Sequence, residues 1–282
     1  MNKWILGARI KTLPAAIAPV IVGTSLADQI KVINALLALI VSLSLQIAVN
    51  YANDFSDGVR GTDSNRIGPT RLVASELATA SSVKNASFIS FFIAIIAGTV
   101  LALNTSVWLI SVGFISILAA WGYTGGKKPY GYLGFGELAV FMFFGIVATV
   151  GSYYVQVEQI SSSALLLSIP MGSLSCAILV INNLRDLAQD KLVSKRTMAV
   201  KLGDTNTRIF YLLLLVIAQI SAAAVASINN YALLTLLWLP LTYSAANQVL
   251  KGASGKELIT ILGKTSRLQF LLALTLAISL SI

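Results

Sequence analysis

Long apolar stretches alternate along this chain with short polar connections. Nine apolar stretches lie near residues 13–27, 33–52, 87–104, 107–123, 134–155, 163–182, 209–227, 230–249 and 266–282, the first and last being short. A helix needs about 17–25 mainly apolar residues to cross a hydrocarbon core of about 30 Å. The pattern therefore predicts an all-α membrane protein of nine transmembrane helices. Two breaks stand out because each begins inside the end of an apolar stretch: Asn50-Tyr-Ala-Asn53-Asp54-Phe-Ser-Asp57, with Asp63 beyond, and Asn182-Asn183-Leu-Arg185-Asp186-Leu-Ala-Gln-Asp190. Each opens a long polar connection, near 53–86 and near 183–208, predicted as a loop.

Composition strengthens this picture. Hydrophobic residues make up 56%, charged residues 11%, and mean hydropathy is +0.82, which excludes an ordinary soluble domain. The basic N-terminus runs into the first apolar stretch without a small-residue cleavage pattern, so a retained span is expected rather than a removable signal. Histidine is absent, which removes a histidine base, the usual zinc sites and a histidine haem ligand. Cys176, the sole cysteine, falls in the sixth stretch; it cannot form an intrachain disulfide and reads as a small buried hydrophobe.

The net charge of +9 would suit nucleic acid, but the basic residues sort by side of a membrane instead. The N-terminus and the connections after the second, fourth, sixth and eighth stretches, together with Arg267 at the start of the ninth, hold nineteen of the twenty Lys and Arg; Lys31 alone lies on the other side. The positive-inside rule then puts the N-terminus and the even-numbered connections in the cytoplasm, and the C-terminus outside. Both polar breaks fall on the cytoplasmic side of a cell membrane.

The breaks carry the chemistry. Asn53 to Asp57 and Asn182 to Asp186 both read Asn-x-x-x-Asp, at a constant offset of 129, which suggests two similar helical bundles within one domain spanning 1–282. On a helix, residues four apart share a face. Asp54, Asp57, Asp63, Asp186 and Asp190 are five of the eleven carboxylates in the chain. Hard oxygen donors of this kind suit magnesium, often held by one or two carboxylates plus substrate phosphates. Candidate metal ligands are thus Asn53, Asp54, Asp57, Asp63, Asn182, Asp186 and Asp190.

Cations crowd the same connections. Arg60, Arg66, Arg71, Lys127, Lys128, Lys195 and Arg196 are candidates for binding a diphosphate, as arginine forks and lysine point charges. Lys127 and Lys128 sit in a glycine-rich connection, Tyr123 to Glu137, whose free amides suit phosphate oxygens. Leaving-group departure from an allylic diphosphate needs its growing charge neutralised, and Asp57, Asp186, Asp190 and Lys128 are the candidate catalytic residues. Arg9, Lys11, Asn50 and Tyr123 are candidates for an aromatic acceptor. Plainer readings compete: loop ion pairs between the carboxylates and Arg60, Arg66, Arg71 and Arg185, interfacial anchoring by Trp4 and the N-terminal cations, and an ion-coupled transporter. Carboxylates gathered at one surface, not the midplane, argue against transport.

At these residues the chain resembles the UbiA superfamily of intramembrane prenyltransferases, and within it the MenA branch, which prenylates 1,4-dihydroxy-2-naphthoate. The resemblance is carried by Ala8-Arg9-Ile-Lys11-Thr12-Leu-Pro14, by Asn50-x-x-Asn53-Asp54-x-x-Asp57-x-x-x-Gly61-x-Asp63 with Arg66-Ile-Gly68-Pro69-x-Arg71, by Tyr123-Thr-Gly-Gly-x-Lys128-Pro129, and by Asn182-Asn183-Leu-Arg185-Asp186-x-x-x-Asp190 with Lys195-Arg196-Thr197. It implies a nine-helix bundle around a central cavity that opens sideways to lipid and is capped by the two acidic loops. It implies two magnesium ions held by Asn53, Asp57, Asn182, Asp186 and Asp190 on a polyprenyl diphosphate. The implied reaction joins the prenyl group to 1,4-dihydroxy-2-naphthoate with loss of diphosphate and CO2, a step of menaquinone synthesis; a phytyl donor or another aromatic acceptor is the alternative within the superfamily. Many members have a second aspartate four residues after the first, where this chain has Gly61; the naphthoate branch shares that departure. The branch usually has proline where Ile10 stands.

Overall fold

The computed structural model describes residues 2–62, 68 and 70–282, and all regular structure among them is helical. A short helix, α1 (Lys3–Ala8), turns through Ile10–Thr12 into α2 (Pro14–Ser25) with a bend of 53°. Then come α3 (Val32–Arg60), α4 (Ala80–Asn104), α5 (Leu109–Thr124) and α6 (Gly136–Val157), the last with a π-helical turn at Phe141–Val147. The second half holds α7 (Ser162–Leu192), α8 (Met198–Ser227), a 3-10 segment Asn230–Trp238 leading into α9 (Leu239–Leu250), and α10 (Gly255–Ser281).

Every predicted apolar stretch falls on helix, but the helices differ in length. Among the described residues, six are long and apolar enough to cross a membrane, or seven if α1 and α2 form one bent span. The difference has local causes. α5 has 16 residues, about 24 Å of rise against a core of about 30 Å. The eighth stretch is divided between the 3-10 segment and the 12 residues of α9.

The two acidic segments are not the loops expected at 53–86 and 183–208. α3 continues to Arg60 and α4 starts at Ala80, while α7 continues to Leu192 and α8 starts at Met198. Helical hydrogen bonds are internal to the segment, so a helix need not stop where its side chains turn polar. The last stretch likewise begins earlier than 266, at Gly255, where Ser254 and Glu257 form a reciprocal capping box.

α7 is the most buried of the long helices. Its Leu167, Met171, Leu174 and Ile181 pack with Tyr211 and Leu215 of α8 and with Leu268, Leu272 and Leu276 of α10. Two polar pairs cross this core: Tyr211 and Thr265 share a hydrogen bond of 2.8 Å, and Gln269 Nε2 donates to Ser175 Oγ at 2.8 Å. Such pairing is what an apolar surround demands. At the end of α3 opposite its acidic segment, Asn34 Nδ2 donates to Val155 O at 2.7 Å and Gln156 Oε1 accepts from Lys31 N at 2.7 Å, tying α3 to α6.

Candidate active site

The C-terminal turns of α3 present Asn53 and Asp57 to a cavity of about 60 Å³, with Asp57 buried. Asp54 points elsewhere. Its Oδ2 accepts from Leu72 N at 2.8 Å and its Oδ1 from Val73 N at 3.1 Å. This buried carboxylate thereby fastens the turn at 71–73 onto α3 and brings Arg71 Nη2 to 3.6 Å from Asp57 Oδ2. Gly61 then ends α3 in the left-handed conformation, at φ 69°, with no atom of the described residues within 4 Å of where a Cβ would stand. Conformation, not space, selects glycine there.

α7 supplies the other wall. Asn182, Asp186 and Asp190 recur every fourth residue on one face and line the same cavity. Arg185 grips this face: its Nε and Nη2 donate to the two Asp186 oxygens at 2.8 and 2.7 Å, and Nη2 also donates to Asn182 Oδ1 at 2.7 Å. Asn183 lines the cavity while its Nδ2 donates to the buried Glu137 at 2.9 Å. Beyond the helix, Lys195 N donates to Asp190 O at 2.9 Å and Thr197 Oγ1 to Asp190 Oδ2 at 3.5 Å.

Lys195 joins the two motifs. Its Nζ lies 2.9 Å from Asp57 Oδ1 although 138 residues separate them. Burial alone would draw the ammonium pKa down, but Asp57, Tyr132 and Asp190 together outweigh burial and leave it raised, so the lysine is held charged. The Tyr132 hydroxyl donates to the same Asp57 oxygen. Burial first, and then the Asp57 charge, push the phenol pKa up and keep it a donor.

Of the residues singled out from sequence, Asn53, Asp57, Asn182, Asp186, Asp190, Arg9, Arg71, Tyr123 and Lys195 line the cavity. Arg9 arrives through the break between α1 and α2, where it adopts φ 54°. Asn50 braces that break from behind, donating to Ala8 O at 2.9 Å, and Ser266 Oγ donates to Lys11 O at 2.7 Å. Asn50, Asp54 and Arg60 are thus engaged with backbone or neighbouring side chains and do not line the cavity. Arg60 donates to Thr124 O at 2.9 Å and Gly126 O at 2.6 Å, capping the end of α5. Lys11, Lys127, Lys128 and Arg196 are exposed and also lie off the cavity wall. Asp63 and Arg66 fall outside the described residues.

Thr62, Gly131, Tyr132, Asn183, Gln189 and Thr197 line the cavity without having been singled out. Tyr132 had a signal, since its connection was already notable for glycine, aromatics and lysine. Asn183 and Gln189 follow from extending the α7 face by one residue to either side.

The donor set fits a hard divalent cation that shares its ligands with a phosphate. Three carboxylates and four carboxamides line one cavity, yet among the described residues no three carboxylates stand close enough to hold an ion by themselves. Magnesium is commonly held in just this divided way, by one or two carboxylates and by substrate oxygens.

Comparison with known proteins agrees with this geometry. The UbiA prenyltransferase family matches residues 16–278. The chain is 48% identical to a 1,4-dihydroxy-2-naphthoate octaprenyltransferase of Mycobacterium tuberculosis, over 98% of this chain and 95% of that one. It is 37% identical to the protein of the same name from Escherichia coli, over 88% and 85%. Among solved structures, a UbiA homolog from Aeropyrum pernix is similar with a TM-score of 0.77 at 13% identity, covering 96% of this chain and 98% of that one. One from Archaeoglobus fulgidus, bound to DMAPP and Mg2+, gives 0.69 at 12% identity, covering 98% and 99%. The likeness in structure is one of fold, and the sequence match spans nearly the whole chain: the protein belongs to the UbiA prenyltransferase family.

Proposed function

We propose that this enzyme transfers a polyprenyl group from polyprenyl diphosphate to 1,4-dihydroxy-2-naphthoate, releasing diphosphate and CO2, in menaquinone synthesis. The observation that carries the reading is the convergence of both Asn-x-x-x-Asp segments, 129 residues apart, on one cavity, in a chain similar over its whole length to naphthoate octaprenyltransferases. In this reading all nine apolar stretches lie in a cell membrane as one prenyltransferase domain, the N-terminus and the site face the cytoplasm, and the C-terminus faces out. The one-sided distribution of lysine and arginine supports that orientation.

Asn53, Asp57, Asn182, Asp186 and Asp190 would hold magnesium, as two ions, against the diphosphate. Magnesium, when bound, supplies charge neutralisation for a leaving diphosphate. Arg71 and Lys195, both beside Asp57, would bind its outer oxygens as a fork and a point charge. Because both are buried with fixed partners, little reorganisation is needed as the allylic C–O bond breaks and charge moves to oxygen. The electron-rich ring attacks the allylic carbon, and the C–C bond to the ring carboxylate breaks, its electron pair restoring the aromatic ring as CO2 leaves. Arg9 offers a guanidinium for the acceptor carboxylate, and Tyr123 an aromatic wall beside it. Asn50, Asp54, Arg60, Lys11, Lys127, Lys128 and Arg196 act from outside the cavity, as braces or as surface charge.

The test is mass spectrometry of the product from purified enzyme given dihydroxynaphthoate and 4-hydroxybenzoate together with a ladder of prenyl diphosphates. The expected product is the naphthoate ring carrying one prenyl chain and lacking the carboxylate. Prenylated hydroxybenzoate as the main product would overturn the acceptor assignment.

A further inference from the structure

Tyr132 meets both halves of the cavity from the connection between α5 and α6. Its hydroxyl donates to Asp57 Oδ1 and accepts from Arg60 Nη1 at 3.1 Å. Its ring faces two cations, with Lys195 Nζ 4.4 Å from the centroid and Arg60 Cζ 5.2 Å from it. Its carbonyl accepts from Arg196 N at 2.8 Å. One side chain and its own backbone thus fasten the end of α3, the connection holding Gly131 and the segment that follows α7.

The energetics favour a directing role over simple packing. An O–H donating to a carboxylate is about twice as strong as a neutral hydrogen bond. A cation within about 6 Å of a ring centroid contributes about 0.5–1 kcal/mol at exposed sites and more when desolvated. Lys195 is buried, so its ammonium has exchanged water for one carboxylate and one aromatic face. Among the described residues the two Asp57 oxygens have three side-chain partners: Tyr132 and Lys195 on Oδ1, and Arg71 on Oδ2. Without the phenol, Oδ1 loses its hydroxyl donor and the carboxylate is oriented only by the Lys195 and Arg71 contacts, the latter at 3.6 Å.

We propose that Tyr132 is a positioning residue for magnesium-diphosphate binding: it fixes the Asp57 carboxylate through its hydroxyl and the Lys195 ammonium through its ring. The inference rests on the function proposed above. It separates two contributions, since phenylalanine keeps the aromatic face and loses only the hydroxyl.

The test uses the full-length purified enzyme and the variants Tyr132→Phe, Asp57→Asn and their double mutant. Calorimetry with magnesium and inorganic diphosphate reads binding without turnover, and steady-state rates with both substrates read the KM against kcat split. For Tyr132→Phe, diphosphate affinity is expected to fall about tenfold, with a matching rise in KM for the prenyl diphosphate. The acceptor KM and the melting temperature should stay within about twofold and about 2 °C of the parent. In the Asp57→Asn background the same change should cost less than about twofold, because the coupling runs through that carboxylate. Unchanged diphosphate affinity in Tyr132→Phe, or an equal loss in both backgrounds, would overturn the proposal. Failure of the parent enzyme to prenylate dihydroxynaphthoate would count against the proposed reaction while leaving this binding comparison intact.

Discussion

Asp54 and Asp57 stand three residues apart on α3 and do different work. Asp57 faces the cavity among Lys195, Arg71 and Tyr132, while Asp54 is spent on the Leu72 and Val73 amides. The two substitutions should therefore separate stability from chemistry. Asp54→Ala orphans the buried Leu72 amide and the half-buried Val73 amide and is expected to destabilise the protein by about 2 kcal/mol, read as a lower melting temperature with residual transfer. Asp57→Ala should abolish transfer, with the protein still in the membrane and folded. Near-normal turnover in Asp57→Ala would remove its assigned role. Sequence made part of this legible. Residue type and the four-residue spacing selected Asn53, Asp57, Asn182, Asp186 and Asp190, all of which line the cavity. It could not separate Asp54 from its neighbours, because that depends on a turn 18 residues away that folds back to meet it.

At the scale of elements, the two motifs are unequal because their helices end differently. Shifting α3 by the motif offset of 129 lays 32–60 on 161–189, almost wholly within α7. α3 stops at Gly61, whereas α7 runs past Asp190 to Leu192. The missing second aspartate of the first motif is therefore the residue where the helix reverses, and an L side chain there meets a disfavoured φ. Composition does not show that reversal, and the polarity of the acidic segments reads as loop although α3 and α7 continue through them. The α5 to α6 connection makes a pH prediction. Burial pushes the Tyr130 phenol up from its ordinary 10.0 to about 12, and its hydroxyl donates to Ala119 O at 2.8 Å. A pKa raised on folding stabilises fully below the unfolded value and is lost as pH rises through the folded one. Melting temperature in detergent should fall between pH 10 and about 12, and Tyr130→Phe should flatten that fall.

For the whole molecule, the apolar stretches gave the helical class and the membrane setting directly. What they could not give is which helices bend or shorten, since the 53° break between α1 and α2 is held by Asn50 and Ser266 from distant segments. That break brings Arg9 to the cavity that the acidic faces of α3 and α7 also line. A charged cavity of this kind at the end of an apolar bundle suits a substrate with an anionic head and an oily tail. The most direct measurement follows labelled CO2 and diphosphate together, from purified enzyme given carboxyl-labelled dihydroxynaphthoate and a polyprenyl diphosphate, with and without magnesium. The account predicts one CO2 for each diphosphate, both dependent on magnesium and both lost in Asp186→Ala. Diphosphate released without CO2, or no release of either with both substrates and magnesium supplied, would contradict it.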